Sequence, residues 1–95
     1  MSDIEALHRR HVLSPWAVQA GLAAPVVQRA EGRYLFDSSG ARYFDLASGL
    51  IAVNLGHGHR KVVAAIQEQV GTLCYSSPAW FHEARAQLAH ELSQL

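Results

Sequence analysis

The stretch Glu31–Val70, EGRYLFDSSGARYFDLASGLIAVNLGHGHRKVVAAIQEQV, changes from one periodicity to another along its length. Its first half has short aromatic and apolar runs separated by turn residues, which predicts antiparallel strands. In "DSSG", Asp37 at the first position and Gly40 at the fourth favour a type I turn whose last residue has positive φ, joining the strands through a bulge. Together with "VVQR" just upstream, the pattern predicts small antiparallel strands over about 26–46.

The second half of the stretch has helical spacing. Apolar residues fall on one stripe after Arg60, which predicts a helix over about 60–73; they are Val63, Ile66, Val70 and Leu73. Gly71 and the run Tyr75–Pro78 end this helix. A second helix is predicted over about 79–94, with Ala84, Leu88, Leu92 and Leu95 on one face. The predicted fold class is therefore α+β.

The first predicted helix has a stop signal and the last one does not. A short helix is predicted over Asp3–His11, ended by Ser14 before Pro15, because a residue that precedes proline avoids the helical region. Residues 16–24 have no clear period. The last helix has no stop signal and keeps an apolar stripe, so we expect a truncated chain whose isolated form is marginally stable or oligomeric.

Composition excludes several classes of protein. The chain has 95 residues, 49% of them hydrophobic, and a formal net charge of zero, as in one soluble domain or a piece of one. No basic cluster indicates nucleic-acid binding, and no apolar run approaches the roughly 20 residues of a membrane span. Cys74 is the single cysteine, so an internal disulfide is impossible. Without a visible export signal, a cytoplasmic location is expected.

The run Gly56-His57-Gly58-His59 has three readings. A metal site needs three or four ligands, and His57 and His59 lack further ligands at a recognised spacing. A phosphate loop requires glycine patterns that "GHGH" does not satisfy. The remaining reading is a glycine-bearing turn into a helix, with structural rather than catalytic histidines.

The order of these parts resembles the N-terminal signature of the class III aminotransferases, pyridoxal-phosphate enzymes of fold type I. Their pattern EG.Y..D..G..Y.D..SG....N.GH.HP.V..AI..Q is similar to Glu31–Gln69, and "SPW" upstream and "LCYSSP" downstream are compatible with it. "HVLSPWAVQ" looks most like the amine or ω-amino acid:pyruvate branch. Arg60 departs from the pattern, which has proline at this helix start, so a preset φ is lost.

The resemblance implies that residues 1–58 are the N-terminal part of a small domain with the hairpin, and that residues 59–95 lead into a large domain. It implies an aminotransferase that moves an amino group from an amine or ω-amino acid to a pyruvate-like 2-oxo acid, with pyridoxal 5'-phosphate as cofactor. The complete protein is expected to be a homodimer. Two other readings stay open: a non-catalytic interaction module derived from such an enzyme, or a remnant.

Four residues match substrate-pocket positions of the family. Trp16 matches an aromatic that faces the substrate, or is a core tryptophan. Leu50 and Ile51 match a pocket-lining pair where relatives carry a bulky aromatic, which would leave an apolar, roomier slot, or belong to the core. Tyr75 matches a position near the partner subunit's site, or is an ordinary buried tyrosine.

No catalytic, cofactor-binding or metal-binding residue is assigned within the chain. Transamination needs a Schiff-base lysine, and the only lysine, Lys61, begins a helix at a position that the family treats as solvent-facing. Asp37 and Asp45 are expected to bond turns. Cys74 is expected to be a small apolar residue. By resemblance, the catalytic lysine follows Leu95, so this chain alone is expected to be inactive.

Overall fold

The computed structural model describes residues 3–95. In chain order the elements are α1 (Asp3–His11), β1 (Val27–Glu31), β2 (Tyr34–Asp37), β3 (Arg42–Phe44), α2 (Ser48–Ile51), α3 (Arg60–Thr72) and α4 (Glu83–Ser93). They fall into two compact units, the first ending at His59 and the second running from Arg60 to Leu95. The α+β class predicted from sequence is confirmed.

The first unit is built on a three-stranded antiparallel sheet in the order β1-β2-β3. Tyr34 lies opposite Phe44, and their rings meet edge to face with centroids 5.5 Å apart. The Arg29 guanidinium lies over the Phe36 ring, 3.4 Å from its centroid. Cross-strand aromatic and cation–π pairs of this kind stabilise a small sheet that has little other apolar cover.

The turn between β2 and β3 has the predicted form. The Gly40 N–H donates to the Asp37 carbonyl at 3.0 Å, and Gly40 has φ 85°. The Asp37 carboxylate accepts the N–H groups of Ser39 and Ala41, each at 2.9 Å, and the Tyr43 hydroxyl at 2.8 Å. The Ser39 hydroxyl also donates to the carboxylate, at 2.7 Å, and this hydrogen bond, followed by that from Tyr43, lowers the pKa of Asp37 from 3.8 to about 2. The predicted turn-bonding role of Asp37 is confirmed.

The second unit contains α3 and α4, which do not pack against each other along their lengths. α3 agrees with the predicted helix over about 60–73. α4 begins at Glu83, later than the predicted start near 79, because the Trp80 N–H donates back to the Ser77 carbonyl in a turn and His82 is extended, with φ −142°. The Ser77 hydroxyl also accepts the Ala79 N–H at 3.3 Å, which favours this turn over a helical start.

Neither unit has a fully buried core among residues 3–95, where most large apolar side chains are exposed and the others, such as Leu35 and Phe36 in β2, are half-buried. Leu88 and Leu92 on α4 are each 60% exposed. Apolar side chains that stay in contact with water contribute little to folding, since the hydrophobic effect scales with the area removed from water. The exposed stripe on α4 is consistent with the predicted need for a covering partner.

Candidate functional site

The site develops where the chain leaves β3. The Asp45 N–H donates to the Arg33 carbonyl at 2.8 Å, which extends the sheet pairing by one residue and fixes the backbone of Asp45 against the preceding hairpin. The chain then turns sharply through Ala47 into α2. The sheet therefore provides a fixed base for the segment that follows.

The element α2 is a left-handed turn, and we use that name for Ser48–Ile51. All four of its residues have positive φ: 49° at Ser48, 57° at Gly49, 68° at Leu50 and 65° at Ile51. Only glycine adopts this region without strain, and other residues lose roughly 1–2 kcal/mol each there. The turn therefore requires support from outside itself.

Backbone hydrogen bonds close the left-handed turn. The Ile51 N–H donates to the Ala47 carbonyl at 2.8 Å, and the Ala52 N–H donates to the Ser48 carbonyl at 2.9 Å. Gly49 suits its place because a Cβ there would lie 3.2 Å from a methyl carbon of Val53 and would share the strained φ. One glycine thus relieves strain at one of the four positions.

Asp45 supports the left-handed turn from its side. Its Oδ2 atom accepts the Gly49 N–H at 2.9 Å and lies 2.6 Å from the Nε2 atom of His57. The hydrogen bond from His57, followed by that from Gly49, lowers the pKa of Asp45 below its usual 3.8. Because the carboxyl is therefore ionised at neutral pH, it accepts and His57 Nε2 donates. The predicted turn-bonding role of Asp45 is confirmed, with an imidazole partner that the sequence did not reveal.

His57 is itself fixed by its backbone. It exchanges two hydrogen bonds with Gly32, one from the Gly32 N–H at 2.9 Å and one to the Gly32 carbonyl at 2.7 Å, in an isolated antiparallel bridge. Gly56 and Gly58, on either side, have positive φ. "GHGH" is therefore a glycine-bearing turn that precedes α3, as predicted, and His57 has a structural set of contacts. His59 is exposed.

The four predicted pocket residues lie at the surface. Leu50 and Ile51 are neighbours on the left-handed turn and are 63% and 79% exposed. Trp16 also belongs to the first unit, has φ 55° and is 89% exposed. Tyr75 belongs to the second unit and is exposed as well. The structure places Leu50 and Ile51 side by side and leaves all four side chains exposed in this chain.

Lys61 is the only side chain here that could form a Schiff base with pyridoxal phosphate. Lys61, the only lysine, is exposed in the first turn of α3. An amine that forms a Schiff base at neutral pH is normally activated by burial or by a charged neighbour in a cavity, and Lys61 has an open helical surface instead. No step of transamination is therefore assigned to these residues.

Metal and thiol chemistry receive no support from the described residues. Within 3–95, no group of three or more His, Cys, Asp or Glu side chains could hold a metal ion. Cys74 is a free, exposed cysteine. No helix in this range is long and apolar enough to cross a bilayer.

The chain matches a known family over most of its length. The family model described as aminotransferase class-III matches residues 16–95. The chain belongs to the class III aminotransferases. The sequence resemblance over Glu31–Gln69 is thereby confirmed, and the family assignment extends to both units.

Curated members of this family are similar across nearly the whole chain. Human mitochondrial alanine–glyoxylate aminotransferase 2 is 38% identical over 90 residues, covering 94% of this chain and 17% of the relative. The 5-aminovalerate aminotransferase DavT of Pseudomonas aeruginosa is 40% identical over 92 residues, covering 93% of this chain and 21% of the relative. The chain thus spans about a fifth of the length of these aminotransferases.

Solved structures of aminotransferases contain the same fold. The taurine:2-oxoglutarate aminotransferase of Bifidobacterium kashiwanohense, solved with PLP and glutamate, matches with a TM-score of 0.87 and 35% identity, over 99% of this chain and 21% of that one. A transaminase from the marine bacterium Virgibacillus matches with a TM-score of 0.90 and 27% identity, over 99% of this chain and 23% of that one. The two units therefore have the fold of a segment of a transaminase.

The sequence did not predict the left-handed turn or the Asp45–His57 pair. A local signal exists only for the hydrogen bond between Asp45 and Gly49, because a carboxylate can accept a backbone N–H a few residues away in sequence. The pairing with a histidine 12 residues away depends on the bridge to Gly32 and has no local signal.

Proposed function

We propose that this chain is the N-terminal part of a pyridoxal-phosphate-dependent aminotransferase. The enzyme moves an amino group from an amine or ω-amino acid to a 2-oxo acid such as pyruvate. The observation that carries the proposal is the match of 99% of this chain to the taurine:2-oxoglutarate aminotransferase at a TM-score of 0.87. The similarity to DavT, named for an ω-amino acid, supports the choice of donor.

The exposure of Lys61 indicates which part of the proposed enzyme supplies the catalytic lysine. Since that lysine has no cavity around it, the Schiff-base lysine and the phosphate donors lie elsewhere in the complete polypeptide. This chain then contributes to substrate binding and is inactive alone. Residues 1–58 form part of the small domain, and residues 59–95 lead into the large domain.

The substrate pocket includes Leu50 and Ile51 in this proposal, with Trp16 beside the substrate and Tyr75 near the active site of a partner subunit. The adjacency of Leu50 and Ile51 supports their part of the assignment, because contiguous exposed apolar surface marks places that bind something else. Two aliphatic side chains would line an apolar slot suited to an amine with a hydrocarbon chain.

The proposed enzyme is a cytoplasmic homodimer. A single exposed cysteine supports a reducing compartment, since secreted domains of this size usually carry disulfides. The apolar stripe on α4 supports assembly, because an exposed face of this kind requires a cover from the same polypeptide or a second subunit.

The test is a transaminase assay on the intact polypeptide purified from its own cells with pyridoxal phosphate. Taurine, 5-aminovalerate, ornithine and alanine would be offered as donors, each with pyruvate, 2-oxoglutarate or glyoxylate as acceptor. The proposal expects turnover of an ω-amino donor with pyruvate. Turnover only with other pairs would correct the substrate class, and no turnover with any pair would contradict the proposed activity and favour an interaction module.

A further inference from the structure

Asp45 links two parts of the first unit that are far apart in sequence. Its Oδ2 atom accepts the Gly49 N–H of the left-handed turn and also lies 2.6 Å from the imidazole of His57. His57 in turn is bridged through its backbone to Gly32 in the β1–β2 hairpin. One carboxylate oxygen thereby ties the strained turn to the sheet.

The Asp45–His57 pair and the residues Leu50 and Ile51 differ in their exposure to water. The side chains of Asp45 and His57 are 7% and 18% exposed, so their hydrogen bond is largely shielded from water. Leu50 and Ile51, directly after the anchored Gly49, are among the exposed apolar residues. A shielded, charge-assisted hydrogen bond is stronger than one in water and restricts the atoms that it joins.

We propose that Asp45 and His57 are positioning residues that hold the left-handed turn so that Leu50 and Ile51 form one wall of an amine-binding slot. This inference rests on the proposed function, because it takes the bound molecule to be the amino donor. The pair does not touch the reacting atoms in this account. The pair sets the depth of the apolar slot. It therefore determines how long a hydrocarbon chain the slot accepts in a donor.

The physical reason is the strain of the turn. Without the Asp45 anchor, residues with positive φ relax toward the ordinary right-handed or extended regions, which moves the two aliphatic side chains. A displaced wall changes the binding of donors that reach it more than the binding of short donors that do not. Loss of the pair should therefore change selectivity and leave the chemical step intact.

The experiment uses the intact polypeptide with pyridoxal phosphate and three variants at the pair. Asp45→Asn removes the charge, His57→Phe removes the donor, and His57→Gln retains an N–H donor near the place of Nε2. Asp37→Asn is the matched control, since Asp37 also bonds a turn through backbone N–H groups but lies on the β2–β3 turn.

Two readouts are needed, and the first is hydrogen exchange of the amides of residues 49–53. We expect Asp45→Asn and His57→Phe to raise the exchange rates about tenfold or more, the scale of one lost charge-assisted hydrogen bond. His57→Gln and Asp37→Asn should stay near the wild-type rates. Unchanged exchange in both disruptive variants would overturn the proposed anchoring.

The second readout is the ratio of kcat/KM for a long donor, 5-aminovalerate, to that for a short donor, alanine. We expect this ratio to fall severalfold in Asp45→Asn and His57→Phe through KM of the long donor, with kcat and the visible absorbance of the bound cofactor retained. Faster exchange with an unchanged ratio would overturn the positioning role and leave a purely structural one. If Asp45→Asn does not fold, the comparison of His57→Phe with His57→Gln tests both the anchoring of the turn and its effect on donor selectivity.

Failure of the proposed function is recognised separately. A wild-type polypeptide that binds no pyridoxal phosphate and transaminates no donor would contradict the enzyme assignment, and with it the slot. Hydrogen exchange would still show whether Asp45 and His57 hold the turn.

Discussion

The backbones of Gly32 and His57 exchange two hydrogen bonds, of 2.9 and 2.7 Å, across 25 residues of sequence. This bridge joins the first hairpin to the glycine-rich turn before α3 and places the imidazole against Asp45. Because the two residues pair through their backbones, the bridge depends on local backbone shape more than on side-chain identity. We therefore expect the bridge to be sensitive to substitution of Gly56, which precedes His57.

Gly56→Ala should destabilise the intact protein. Gly56 has φ 89°, and a Cβ there would lie 3.2 Å from the Gly32 carbonyl oxygen, which accepts the His57 N–H. Strained φ alone costs about 1–2 kcal/mol. Gly71→Ala is the control: it lies in α3 with open space around it and should be neutral or stabilising by up to about 1 kcal/mol. Denaturant unfolding of both variants measures the difference, and equal stabilities would contradict this account.

Acid should weaken the β2–β3 turn through Asp37. Its pKa falls from 3.8 to about 2 on folding, so the unfolded chain takes up the proton first. The stabilisation is complete above about pH 4 and is lost as the pH falls toward 2. Asp37→Asn should remove this part of the pH dependence of unfolding between pH 5 and 2, which urea titrations at several pH values would show. The Tyr43→Phe variant should shift the same loss to higher pH, because Tyr43 donates to the carboxylate.

Leu50→Trp should narrow the proposed slot. An indole in place of an isobutyl group fills space that a long donor would use, so KM for 5-aminovalerate should rise severalfold while that for alanine changes less. Leu46→Trp is the matched control, since Leu46 is 88% exposed in the same unit and is outside the proposed pocket. Equal effects of the two substitutions on the steady-state kinetics would rule out the assignment of Leu50.

The 95-residue chain on its own should be marginally stable or oligomeric. No residue within 3–95 is buried, and the apolar face of α4 remains in contact with water. We expect a broad thermal transition by circular dichroism and self-association by analytical ultracentrifugation. Leu88→Lys with Leu92→Lys should reduce the association. A sharp, monomeric two-state melt of the unsubstituted chain would contradict this expectation.

Local patterns predicted the regular elements well. Alternation and turn chemistry located the strands and the Asp37–Gly40 turn, because these depend on residues close in sequence. The apolar stripe located α3 for the same reason. The start of α4 lies later than the apolar pattern predicts. The Ser77 hydroxyl and carbonyl accept the N–H groups of Ala79 and Trp80, and the resulting turn competes with a helical start.

The left-handed turn could not be predicted in this way. Ser48, Leu50 and Ile51 individually disfavour positive φ, so local propensity argues against the conformation that they adopt. Asp45 accepts the Gly49 N–H of the turn and is linked through His57 to Gly32, contacts that local propensity does not predict. Such strained segments held by distant contacts are often functional, and this one carries two of the four residues that the family resemblance assigned to the pocket.

The intact mass of the polypeptide as its own cells make it would show whether this chain is part of a larger enzyme. Since this chain spans 17% and 21% of two aminotransferase relatives, we expect a mass several times its 10.4 kDa, with pyridoxal phosphate bound. A mass of 10.4 kDa would contradict the enzyme assignment, because the only lysine would then be the exposed Lys61.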